Sequence, residues 1–146
     1  MPKVFTSEKQ KIGEIGENIA VKFLMKHEFS ILDRNYTKKW GEIDIVAEKA
    51  SKLYFVEVKS VSRETLDNVT HDLPERSGLF GRAGTSDYRP EDNMHPWKLK
   101  RLSRAIQTYI LSRKFDDREW QVDLLVVYLD LKDKKAKVKV VSDIIL

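Results

Sequence analysis

The sequence contains no cysteine. That excludes disulfide frameworks, thiolate zinc sites and cysteine nucleophiles, and it suits a reducing cytoplasm. Long apolar runs are missing as well. Nothing approaches the ~18–20 uninterrupted apolar residues that a membrane-spanning helix requires, and the longest runs, such as Leu124 to Leu129, are strand-sized. The first residues, Met1-Pro2-Lys3-Val4-Phe5, lack the apolar core of a signal peptide, so the expectation is a cytoplasmic protein with no membrane partner. Histidine is scarce, and His27, His71 and His95 show none of the close spacings of zinc ligands. Glycines are few, and Gly78, Gly81 and Gly84 match neither phosphate-loop pattern.

What remains is a chain of 146 residues, 41% hydrophobic and 34% charged, a composition that fits one domain with a modest core. The net charge of +4 is mild, but its distribution is uneven. Ser62 to His95 carries a net of −3, leaving +7 on the rest, and Pro96 to Lys114 holds six basic residues and no acid. Such a stripe either faces a polyanion or is a solvated helix face.

Hydrophobic spacing predicts a helix over Ser7–His27, with Ser7 as cap and Ile12, Ile15, Ile19 and Phe23 on its buried face. Gly13, Gly16 and Ala20 form a second, smooth stripe, which suggests close backbone approach, with Glu17 beside it. Three strands follow, Phe29–Tyr36, Gly41–Glu48 and Lys52–Val61, the last two alternating with period two and joined as a hairpin. Ser62 to His95, with two prolines and three glycines, reads as a long acidic loop without its own structure. Pro96 opens a second helix to about Lys114, with Leu99, Leu102, Ile106, Tyr109 and Ile110 inward and Lys100, Arg101 and Arg104 outward; Lys98 lies at the flank. Trp120–Leu129 and Lys137–Ile145 complete the order α-β-β-β, long loop, α-β-β. The fold class expected is therefore α/β, a mixed central sheet flanked by helices.

The hairpin carries the chemistry. Glu42, Asp44 and Val46 share one face of their strand and Ile43, Ile45 and Ala47 the other, while Phe55, Glu57 and Lys59 share a face of the partner strand. With Lys49-Ala50 in the turn, Glu48 pairs with Ser51, Asp44 lies opposite Phe55, and Glu42 lies opposite Glu57. Asp44 and Glu57 are then diagonal neighbours on a common face with Glu42 and Lys59. Facing carboxylates repel unless a positive charge sits between them, and a hard divalent cation such as Mg²⁺ suits oxygen ligands of this kind. The bland alternative is a solvated strand face whose charges simply alternate outward.

Gly13-x-x-Gly16-Glu17-x-x-Ala20, Gly41-Glu42-Ile43-Asp44 and Phe55-Val56-Glu57-Val58-Lys59 together resemble the YraN family of nuclease-like proteins. That family belongs to the restriction-endonuclease-like PD-(D/E)XK superfamily and is related to archaeal Holliday-junction resolvases. The likeness covers residues 8 to 61, including Asn35, and resumes with Lys98 to Ile110 and with Asp123. It implies a restriction-endonuclease-like fold in which Asp44 and Glu57, with the Val58 carbonyl, bind Mg²⁺ or Mn²⁺. It also implies that Lys59 is the catalytic lysine, Glu17 a helix acid assisting metal or water placement, and Glu42 the variable first position of the acidic pair. Lys98, Lys100, Arg101 and Arg104 would contact DNA phosphates, and the resolvase relationship makes a homodimer an assembly to test. Two features depart from the family pattern: Gln121 stands where the family usually has Arg, and the 62–95 segment is longer and more acidic than the usual connection.

The reading that follows is a metal-dependent endonuclease acting on DNA, with branched or structured DNA as the resolvase-like substrate. Two others remain open: a nucleic-acid-binding module that keeps the fold without cutting, and a partner-docking protein using the acidic loop. Asp123, inside an apolar strand, is either a buried structural acid paired with Lys or Arg or part of the site's edge. Trp40 either stacks on a base or caps the hairpin, and Trp97 and Trp120 read as core or helix-start anchors.

Overall fold

A computed structural model describes residues 7–62 and 95–146. The expected acidic loop lies outside the described residues apart from Ser62 and His95. The elements run α1 (Glu8–Lys26), β1 (Ser30–Lys38), β2 (Gly41–Lys49), β3 (Lys52–Ser62), α2 (Pro96–Ser112), β4 (Trp120–Asp130) and β5 (Lys135–Val141). The strands form one mixed sheet in the order β1-β2-β3-β4-β5. Among these strands only β3 and β4 are parallel, and α2 lies in the crossover between them. The mixed sheet flanked by helices, in the expected order, is thus the fold.

Ser7 caps α1, its hydroxyl accepting the Gln10 N–H at 3.0 Å. The buried stripe of α1 is not the one its isoleucines suggest. Gly16, Ala20 and Leu24 are buried, whereas Ile15 is 41% exposed. The reason is steric. A Cβ on Gly16 would stand 1.8 Å from Ser60 Oγ and 2.9 Å from Ser60 Cβ, so the helix backbone rests directly on β3. Larger residues flank that seat and cover its sides, with Ile12, Ile19 and Phe23 half-buried. Gly13 makes no comparable approach, since a Cβ there would meet nothing within 4 Å.

On the opposite face, α2 rests on β2 in the same manner. A Cβ on Gly41 would meet the Arg101 carbonyl oxygen at 2.1 Å. Around that seat Leu102, Ala105, Ile106 and Tyr109 pack against Ile43, Val46, Phe55 and Val122. Tyr109 is fully buried, and its hydroxyl donates to Asp33 Oδ2 at 2.6 Å. Ala20 and Leu24 of α1 meet Ile45, Ala47, Val56, Leu125 and Val127 on the other side of the sheet. Two glycines therefore set the height of both helices above the sheet.

The hairpin register differs from the expected one by two residues. Lys49 pairs with Lys52, Val46 with Phe55 and Ile45 with Val56, and the turn residues are Ala50 and Ser51. Both have left-handed backbones, φ 51° and 65°, the conformation that matches a two-residue turn to strand twist. A shift of two leaves every side chain on its own face, so the apolar pattern does not discriminate the two registers. Arg118, far along the chain, braces the observed turn: its guanidinium donates to the Ser51 carbonyl at 3.1 Å and pairs with Glu48.

Strict alternation also fails along β2. Ile43 joins the α2-side core while Ile45 and Ala47 join the α1-side core, so Ile43 does not share their face. The switch coincides with Asn35 on the neighbouring strand, left-handed at φ 53° between the pairs Arg34↔Ile45 and Tyr36↔Ile43. Asn tolerates that backbone better than most residues. Arg34 consequently bonds to α1, and Tyr36 stacks edge-on against Tyr109 of α2, although only one residue separates them. Asp44 is the residue at which β2 changes face.

Candidate functional site

The pairing of β2 with β3 ends at Ile45↔Val56. One step further, where continued pairing would set Asp44 opposite Glu57, the Asp44 side chain replaces the ladder: its Oδ2 accepts the Val58 N–H at 2.8 Å. The carboxylate thus lies between two strands instead of projecting from one face. Glu57 follows the α2-side pattern of Leu53 and Phe55 and is 8% exposed. Lys98, from the first turn of α2, places its Nζ 2.8 Å from Glu57 Oε2. Glu17 arrives from α1, one residue after the Gly16 seat, and is held by Arg34 at 3.5 Å, the same guanidinium donating to Asn18 at 3.0 Å.

The electrostatics follow from this crowding. Burial pushes the Asp44 carboxyl up to about 8, and the charges of Glu57, Glu17 and Glu42 add to the shift against the opposing Val58 hydrogen bond. Burial also raises Glu17, with Arg34 and Asn35 resisting and Glu57 reinforcing the rise. Lys59 is half-buried and lowered, first by burial and then by the charges of Lys98 and Lys9. For Lys98 burial alone would lower the pKa, yet Glu57's charge and hydrogen bond, with Asp44 and Glu42, outweigh it and the net shift is upward. Glu17, Glu42, Asp44, Glu57, Lys59 and Lys98 therefore act on one another electrostatically, although they come from both helices and two strands.

Lys100, Arg101 and Arg104 are exposed on α2, on the turns that continue from Lys98. Lys98 itself is not simply the flank of that face, because its ammonium belongs to the acid cluster. Its helix and its position off the Lys100 face are legible in the sequence, but its partner is not. Arg34, which orients Glu17, is not singled out by anything in its own segment. The helical smoothness around Glu17 is a usable signal for the acid, but nothing local marks its cation.

Several side candidates resolve as structure. Asp123, 8% exposed, accepts the Gln121 side-chain amide at 2.7 Å and the Asp143 N–H at 3.0 Å. It is a buried acid that ties down the chain after β5, satisfied by neutral donors and not by the Lys or Arg expected. Gln121 serves that tie through its side-chain amide. Trp40 donates from Nε1 to Thr108 Oγ1 at 3.0 Å, fastening the start of β2 to α2. Trp120 packs edge-on against Phe55, whereas Trp97 is 62% exposed and not part of the core.

The donor chemistry is of the kind a hard divalent cation takes, carboxylate oxygens from the buried Glu57, the half-buried Asp44 and Glu17 and the exposed Glu42. Among the described residues no group of three or more His, Cys, Asp or Glu is placed to hold a metal ion. Mg²⁺ does not require one, because one or two carboxylates suffice when water and phosphate oxygens fill the other positions.

The family model described as "Uncharacterised protein family UPF0102" matches residues 16–127. The chain belongs to the UPF0102 family. The motifs that resemble YraN proteins lie within or beside that span. A UPF0102 protein of Flavobacterium psychrophilum is 33% identical over 131 residues, covering 90% of this chain and 92% of its own. One from Alkaliphilus oremlandii is 33% identical over 129 residues, covering 88% and 92%. One from Geotalea daltonii is 32% identical over 121 residues, covering 83% and 79%. The UPF0102 domain has, among its described residues, no helix long and apolar enough to cross a membrane.

Proposed function

We propose that this UPF0102 protein is a metal-dependent phosphodiesterase acting on DNA, with branched or structured DNA as its substrate class. The observation that carries the reading is the placement of Asp44. Its carboxylate leaves the face pattern of β2 to accept the N–H of Val58, the residue between the buried Glu57 and Lys59. A solvated strand face has no reason to bury acids against one another, at a cost visible in the raised Asp44 pKa.

Asp44, Glu57 and the Val58 carbonyl would hold Mg²⁺ or Mn²⁺, which when bound supplies neutralisation of phosphate charge and a more acidic water. Lys59, with a lowered proton affinity, would orient the attacking water or hold a non-bridging phosphate oxygen. Glu17, fixed by Arg34, would accept a hydrogen bond from that water. Lys100, Arg101 and Arg104 would grip the backbone on the adjoining helix without reading sequence. The test is a nicking assay in Mg²⁺ and Mn²⁺ on duplex, flap and four-way-junction DNA, run beside binding in EDTA. Metal-dependent nicking lost in Asp44→Asn is the expected result, and binding without nicking in either metal overturns the enzyme reading.

A further inference from the structure

A buried carboxyl next to other acids either keeps its proton, as Asp44 does, or needs a compensating positive charge. At Glu57 that charge is Lys98, whose ammonium stands 2.8 Å from Oε2 while its own side chain stays 45% exposed. Asp44 and Glu42 attract the same ammonium. Lys98 thus engages one oxygen of the carboxylate read here as a cation ligand. A cation coordinated by that carboxylate, at roughly 2 Å for Mg²⁺, would repel an ammonium held in the same place.

We propose that Lys98 is a tethered counter-ion of the acid cluster, displaced from Glu57 by the divalent cation and thereby released to a DNA phosphate. The inference rests on the reading of Asp44 and Glu57 as cation ligands. The fold favours the exchange. The Gly41 seat fixes α2 close to β2 through the Arg101 carbonyl, so the Lys98 backbone stays in place while its half-exposed stem swings. Arg101 lies three residues on, the helical spacing of neighbours, and the released ammonium extends the Lys100, Arg101 and Arg104 face by one position. Cation and DNA then assist each other, because each favours the same displaced state of Lys98, and the coupling is reciprocal.

The experiment is calorimetric titration of Mn²⁺ into the full chain without DNA, for the parent, Lys98→Met, Lys100→Met and Asp44→Asn. Lys98→Met should bind Mn²⁺ about fivefold tighter or more, the lower end of ordinary coupling strengths. Lys100→Met, which removes an equal charge from the same helix, should stay within about twofold, as exposed charges are well screened. Equal tightening in both variants overturns the proposal, since only net charge would then matter. If Lys98→Met binds like the parent while Asp44→Asn abolishes binding, the counter-ion role falls and the metal reading stands. Absence of Mn²⁺ binding to the parent removes both. If Lys98→Met does not fold, the ammonium resonance of Lys98 in the ¹⁵N-lysine-labelled parent decides. It should shift and exchange faster with water on Mg²⁺ addition, and an unchanged signal when other site resonances respond overturns the proposal.

Discussion

Gly16 of α1 lies so close over Ser60 of β3 that a Cβ on the glycine would stand 1.8 Å from the serine Oγ. This approach sets how deeply the helix sinks onto the sheet, and with it the position of Glu17, the next residue. The Ser60 hydroxyl could rotate away from an added methyl group, but the Ser60 Cβ at 2.9 Å could not.

Gly16→Ala should therefore destabilise the protein by about 1–3 kcal/mol, the usual range for overpacking. Gly13→Ala should do the reverse, gaining up to ~1 kcal/mol of helix propensity, because its Cβ meets nothing within 4 Å. Thermal melts of the two variants, one down and one up, check this. Equal shifts in the same direction would show that α1 does not rest on Ser60.

Asp44 should make the metal-free protein less stable as pH rises. Its folded pKa is pushed up to about 8 from an ordinary 3.8 by burial and then by Glu57. Between those values the folded chain keeps a proton that the unfolded chain has released, so stability is greatest near the lower value and falls toward pH 8. Asp44→Asn keeps an oxygen to accept the Val58 N–H but has no charge to bury. Melts in EDTA at pH 5 and pH 8 should show a drop for the parent that is much smaller in Asp44→Asn. An unchanged drop would assign the pH dependence elsewhere.

Lys59 and the α2 cations should separate catalysis from binding. Lys59→Ala should lower the single-turnover cleavage rate ~10²-fold or more, by analogy with loss of one preorganised donor, with DNA affinity within a few-fold. Replacing Lys100, Arg101 and Arg104 together should weaken binding and reduce the salt slope by about 0.9 for each phosphate no longer neutralised. Much of the rate at saturating DNA should remain. Parent-like cleavage by Lys59→Ala would remove it from the chemistry.

Asp123 should behave as a structural acid only. Asp123→Ala leaves the Asp143 N–H and the Gln121 amide without their acceptor, at a cost of about 1–3 kcal/mol. Amide exchange should quicken at Ile144, whose N–H bonds the Val122 carbonyl at 2.7 Å. Mn²⁺ affinity should match the parent, and a large loss of it would return Asp123 to the site's edge.

Much of this is legible in the chain itself. Helical spacing places both helices, and alternation in β2 and β3 with short apolar segments elsewhere places the five strands, the last expected at Lys137–Ile145 and found at Lys135–Val141. The motifs single out Glu17, Asp44, Glu57 and Lys59, since each lies in a short segment whose neighbours determine its element. The small residues of α1 announce a close approach, although which glycine makes it depends on where β3 lies.

Tertiary structure decides the rest, for reasons local sequence does not contain. A two-residue register shift preserves every face, so the apolar pattern does not fix the hairpin at Ala50-Ser51, a turn that Arg118 braces from far along the chain. The face change at Asp44 belongs jointly to two strands, since it coincides with the left-handed Asn35 on β1. The Lys98–Glu57 pair joins residues on different elements through the seating of α2 on Gly41. Periodicity reports which side of its own element a residue occupies; only packing between elements determines which charge it meets there.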